Sequence, residues 1–169
     1  MRARGCCGER ADPQPHRVAY GMSLNLEFLD ALLAAPGPSS FESRPASVFR
    51  AQAEAYGLDV RTDVYGSTFA IADAGRRPSL LLSGHIDEIG LLIQHVDDNG
   101  MAWFKAVGGW DSQQLVGQRV RVVGRDGDVL GVIGKKPIHL MSPEDRRKVS
   151  KIEDLFIDIG AHDKQDALA

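Results

Sequence analysis

The sequence predicts an α/β fold whose second half is a small, incomplete antiparallel barrel. Three observations carry this. Two amphipathic helical patterns occupy the stretch up to Gly57. The strongest apolar run, Leu80-Leu81-Leu82, closes a series of short strands, as a buried strand at the edge of an α/β layer does. After Gly90 the texture changes to short strands punctuated by Asn99-Gly100, Gly108-Gly109 and Asp126-Gly127, the turn density of a small antiparallel barrel or sandwich.

Taken in order, residues 1–21 are rich in Arg, Gly and Pro and read as a disordered tail, with Met22 as a candidate natural start. Residues 22–89 form a first unit. Ser23 is placed to cap a helix with the stripe Leu26, Phe28, Leu29, Leu32 and Leu33, stopped by Pro36-Gly37-Pro38. A second helix takes Ser43 or Arg44 as cap and Pro45 in its first turn. Its buried stripe is Val48, Phe49, Ala53 and Tyr56, and Gly57 is its stop. Strands are expected near Leu58–Thr62, Thr68–Ala72 and Ser79–Ser83. Residues 90–169 form a second unit, with strands at Leu91–Val96, Met101–Val107, Arg119–Val123, Val129–Ile133 and Leu155–Ile159. Asn99-Gly100 marks the first hairpin. Ser142-Pro143-Glu144-Asp145 opens a short basic helix ending near Val149, and Asp163–Ala169 begins another.

The chain has 169 residues, 43% hydrophobic and 25% charged, long enough to bury a real core. A net charge of −3 and a pI near 5.9 argue against nucleic-acid or anionic-membrane partners. No apolar stretch approaches the roughly 20 residues that span a bilayer, and no apolar core follows the arginines of the tail, so no secretory signal is expected. Cys6 and Cys7 are adjacent, poor disulfide partners for each other. A reducing, cytoplasmic setting is expected.

The chemistry is expected at Gly84-His85-Ile86-Asp87-Glu88-Ile89-Gly90, directly after the leucine run. Side chains alternate along extended backbone, so His85 and Asp87 fall on one side. There Asp87 can accept a hydrogen bond from one ring nitrogen and leave the other for a metal. The alternative reading is a strand-end histidine satisfied within a core. Asp97-Asp98 is either a carboxylate pair or the chemistry of the Asn-Gly turn it flanks. His95 and His139 read as structural or loop residues, His16 and His162 carry no signal, and Glu144 and Asp145 suit a helix N-terminus. Lys135-Lys136 and Arg146-Arg147-Lys148 look like a solvated basic face. Trp103, Phe104 and Trp110 are candidates for barrel core or an interface, with Trp110, after two glycines, placed at the interface.

Several ordered stretches together resemble one family. They include Ala35-Pro36-Gly37-Pro38-Ser39-Ser40-Phe41-Glu42, Ser83–Gly90, His95–Gly100 and Val107-Gly108-Gly109-Trp110-Asp111. Gly117-Gln118-Arg119-Val120, Gly131–Leu140 and Lys151–Ala161 continue the series. The chain is similar over about residues 24–169 to the glutamyl and tetrahedral aminopeptidases, zinc or cobalt metallopeptidases often labelled endoglucanases. The resemblance implies an α/β catalytic domain interrupted after the His-x-Asp strand by an inserted β-barrel, with only the N-terminal part of the former and most of the latter present here. It implies two divalent metal ions (Zn or Co) per complete subunit, a peptide substrate cut at its N-terminal residue, and a homo-oligomer built from dimers. Carried over by position, His85 is a metal ligand and Asp87 the catalytic carboxylate that orients it; Glu88 receives no catalytic role. The family's other metal ligands and its general base have no counterpart here, so the chain alone is expected to be inactive. A non-catalytic assembly module and an endoglucanase-type glycosidase stand as alternatives.

Overall fold

A computed structural model describes residues 24–169. The predicted tail, Met22, Ser23 and both cysteines lie outside the described residues. The elements run α1 (Leu26–Ala34), α2 (Ser43–Ala55), β1 (Asp59–Thr62), β2 (Thr68–Ile71), β3 (Gly90–Val96) and β4 (Ala102–Val107). Then follow α3 (Ser112–Leu115), β5 (Arg119–Val123), β6 (Asp128–Lys135), β7 (Leu155–Asp158) and α4 (Lys164–Leu168).

Asn25, not Ser23, caps α1: its side chain accepts from the Phe28 N–H at 3.0 Å. This satisfies one of the donors that every helix start leaves open. The expected stripe exists, but no residue of α1 is buried, and Leu26 and Leu33 are 59% and 72% exposed. Glu42 occupies the N-cap of α2 in place of Ser43 or Arg44 and makes no side-chain cap bond there. Pro45 does lie in the first turn, buried with Ala46 and Ala53. Tyr56, expected in the buried stripe, stands out from the helix end, where its hydroxyl meets the Asn25 amide at 3.5 Å. Gly57 stops the helix in a left-handed conformation, φ +72°.

β1 and β2 pair as an antiparallel ribbon. The strand expected at Ser79–Ser83 is not formed. Among the described residues nothing pairs with it, and Leu80, Leu81 and Leu82 are 86%, 78% and 86% exposed. The apolar run has the composition of a central strand, but a strand exists only with neighbours that satisfy its backbone.

From Gly90 onward the chain builds one antiparallel five-stranded half-barrel sheet in the order β3-β4-β7-β6-β5. Asp97–Gly100 makes the predicted hairpin turn, with Gly100 at φ +81°. One face of the sheet packs the core: Ala102, Phe104, Leu115, Ile133, Leu155 and Ile157. Gly131 lets β6 approach β7 closely, since a Cβ there would meet the Ile157 Cγ2 at 2.5 Å. The helix expected after Ser142 is only a 3₁₀ turn at Asp145–Arg147. Ser142 and Asp145 bond each other reciprocally there, and Lys148 reaches Glu144 and Asp145 at 2.7 and 3.4 Å, but the backbone at Lys148 is extended, φ −89° and ψ 147°, and the stretch ends after one turn. α3, which the sequence reading missed, is capped by Asp111 accepting from the Gln113 N–H.

Two contacts tie the helices to the sheet. Arg44 forms a two-pronged pair with Asp128 at 2.7 and 2.8 Å, and Arg121 donates to the Ala34 carbonyl at 3.1 Å.

Candidate metal-ligand site

The stretch from Ala72 to Asp87 has no ladder, so His85 is not positioned by a strand of its own. Its order comes from the loop between α1 and α2. Gly37 and Glu88 exchange main-chain contact: the Glu88 N–H donates to the Gly37 carbonyl at 2.9 Å, and the Gly37 N–H donates to the Glu88 carboxylate at 2.9 Å. Pro38 forms an isolated parallel bridge with Glu88. Two glycines make room for this seating. A Cβ on Gly37 would strike Pro45 of α2, and one on Gly90 would lie 2.7 Å from Pro38.

Beside this junction, His85 Nδ1 lies 2.9 Å from Asp87 Oδ1 and 3.1 Å from the Asp87 main-chain oxygen. The second carboxylate oxygen accepts from the Ser39 hydroxyl at 2.6 Å. The Ser39 hydroxyl, and after it the His85 ring, hold the Asp87 carboxyl below its ordinary range. A carboxylate can only accept, so in the neutral ring Nδ1 is the donor and the lone pair falls on Nε2; the side chain is 85% exposed. The ring is therefore oriented and open to solvent, not packed in a core.

An aimed, solvent-facing imidazole can serve as one metal ligand. The donor set is not a complete centre: among the described residues no group of three or more His, Cys, Asp or Glu is gathered to hold an ion, whereas a catalytic zinc takes about three protein ligands.

The other candidates resolve as structural. Asp97 accepts from the Asn99 and Met101 N–H groups at 2.9 and 3.0 Å and from the Trp103 indole at 3.0 Å. Its carboxyl is held low first by the indole and then by those two amides. Both its oxygens are engaged in clamping the hairpin. His95 stacks on Trp103, centroids 6.0 Å apart and planes 3° from parallel. Trp110 is half-buried: it packs against the core cluster and donates to the Gly90 carbonyl at 2.9 Å. Phe104 is core. His139 sits on the 3₁₀ turn Ile138–Leu140, and His162 is exposed near α4. His16 lies outside the described residues. Sequence reading gave no part to Ser39 or to the latch made by Glu88. Pro36-Gly37-Pro38 read as a helix stop and Ser39-Ser40 only as part of a family-like stretch, because a contact spanning 48 residues leaves no trace in local spacing.

Comparison with known proteins identifies the setting of this histidine. Residues 66–169 match the family described as M42 glutamyl aminopeptidase. A TET aminopeptidase from the marine sediment archaeon Thaumarchaeota archaeon SCGC AB-539-E09 superposes with a TM-score of 0.79 at 39% identity, over 84% of this chain and 40% of that one. The TET1 peptidase of Pyrococcus horikoshii, described as assembling into a tetrahedron or a large octahedral shell, superposes with a TM-score of 0.72 at 37% identity, over 85% and 42%. The FrvX protein of Escherichia coli (strain K12) is 28% identical over 144 residues, 85% of this chain and 40% of its own. These matches place the fold among the metallopeptidases. The chain belongs to the M42 glutamyl aminopeptidase family, and it spans about 40% of the length of the curated relatives it matches.

Proposed function

We propose that this chain supplies the first ligand arm and most of the inserted sheet of a metallo-aminopeptidase, an enzyme that removes N-terminal residues from peptides. The observation that carries the reading is the oriented imidazole, Nδ1 on Asp87 and Nε2 toward solvent, in a chain of this family. On this reading residues 22–89 belong to the catalytic α/β domain and residues 90–169 to the insertion. Two divalent ions, zinc or cobalt, serve the complete subunit; His85 holds one, and Asp87 fixes the ring. A peptide is the substrate, with neither nucleic acid nor membrane as partner. The horikoshii shell supports assembly of the full protein into a homo-oligomer, and dimers as its building unit are part of the same proposal. A cytoplasmic location is part of the same proposal, supported by Cys6 and Cys7 being adjacent and so poor disulfide partners for each other.

Because one histidine does not make a centre, the isolated chain is expected to hydrolyse no amino-acyl anilide with zinc or cobalt added. Turnover by the purified chain that disappears in His85→Ala would overturn the assignment of a single arm. A non-catalytic assembly role is favoured by the same incompleteness, and a strict monomer in light scattering would count against it. The glycosidase alternative needs two free carboxyls roughly 5–9.5 Å apart across a cleft. With Asp97 committed to the hairpin, the pair that suggested it is not available.

A further inference from the structure

We propose that Ser39 is the positioning residue that sets the tautomer and aim of the His85 ring. Its functional meaning rests on the reading of His85 as a metal ligand, but its geometry does not. The segment carrying His85 enters the site without strand neighbours, and the partners it offers the ring are the Asp87 carboxylate at 2.9 Å and the Asp87 main-chain oxygen at 3.1 Å. What holds the Asp87 carboxylate against the ring comes across the chain. Ser39 donates to Asp87 Oδ2 at 2.6 Å, and Asp87 Oδ1 takes His85 Nδ1 at 2.9 Å. Both carboxylate oxygens are thereby engaged, and rotating Asp87 away from the ring would break the hydroxyl bond as well. Ser39 itself is held. Glu88 latches Gly37 by two hydrogen bonds of 2.9 Å, and the Phe41 N–H closes on the Pro38 carbonyl at 2.8 Å. Next to it, Ser40 adopts φ +76°, with its N–H on the Glu42 carboxylate at 2.6 Å. A β-hydroxyl on a loop pinned on both sides is a fixed donor. Asp87, half exposed on an unpaired segment, is the movable group that the donor fixes.

The test labels histidine side chains with ¹⁵N and reads the tautomer of His85 at one mildly alkaline pH, where a free imidazole is neutral. In the native chain the Nδ1–H form is expected to dominate, with Nε2 bare. Ser39→Ala is expected to lose that dominance, as Asp87→Asn does, and Ser39→Thr, which keeps the hydroxyl, to restore it. Amide spectra of the sheet check folding. If the alanine variant does not fold, Ser39→Cys, similar in size and a weak donor, takes its place with the same expected loss. A native tautomer in the folded alanine or cysteine variant overturns the inference. The underlying reading fails differently: zinc added to the native chain would leave the His85 Nε2 signal unmoved while the tautomer contrast among the variants persists.

Discussion

Leu155 and Leu81 are the same residue in opposite circumstances, and replacing each by alanine separates what the sequence suggests from what the fold does. Leu155 has 0% of its surface exposed and lies on β7, between β4 and β6. It touches a cluster with Phe104, Ile133 and Ile157. Truncation removes three carbons at about 0.8 kcal/mol each in transfer free energy. The backbone at Leu155 is tied to Lys135 of β6 and its neighbours in the cluster are themselves buried, so the space left closes only in part and a cavity term adds to this, for a total of about 3–5 kcal/mol. Leu81 belongs to the most apolar run of the sequence yet is 78% exposed, so its truncation should lie within about 0.5 kcal/mol of neutral. Urea unfolding followed by Trp103 and Trp110 fluorescence measures both, and unchanged slopes confirm that the midpoint shifts report stability. A Leu81→Ala cost equal to that of Leu155→Ala would refute the argument, because it would mean the leucine run is packed as a strand. So would a Leu155→Ala cost under about 1 kcal/mol.

Three further outcomes follow from the same structure. Gly131→Val sets a branched side chain against Ile157 across the β6–β7 ladder and should cost about 1–3 kcal/mol by the same unfolding assay. Asp97 has a folded pKa depressed below the ordinary 3.8, so its contribution is fully present above that value and is lost as pH falls through the lower folded one. Acid unfolding of Asp97→Asn should therefore show a shallower pH dependence below about pH 4, with faster amide exchange at Met101. Asp128 is depressed in the same direction, first by its hydrogen bonds to Arg44. Asp128→Asn and Arg44→Met should be non-additive in thermal melts, whereas full additivity would show that the pair does not hold α2 to the sheet.

Local signals recovered much of this molecule. β5 falls at Arg119–Val123 as alternation and the Asp126-Gly127 turn require, and the Asn99-Gly100 hairpin is where two apolar runs meet a left-handed glycine. The His85–Asp87 contact was legible because two positions on extended backbone face one way. What escaped was whatever depends on distant chain. Leu80–Leu82 carries the composition of a buried strand, but composition cannot say whether partner strands stand beside it. The short helix after Ser142 failed although the Ser142 cap and the Glu144–Lys148 pair favour one, because the backbone turns extended at Lys148, φ −89° and ψ 147°. The cap at Asn25 won over Ser23 by a shift of register that pattern reading does not resolve. Ser39 was invisible since its role is a contact made over 48 residues.

The latch between Gly37 and Glu88 means that the histidine receives its coordinates from a loop far upstream, not from the tether that carries it. Residues 72–83 are then a cable slung between two fixed points. On the Ser39 proposal, one lost hydroxyl at the mooring would swing the ring.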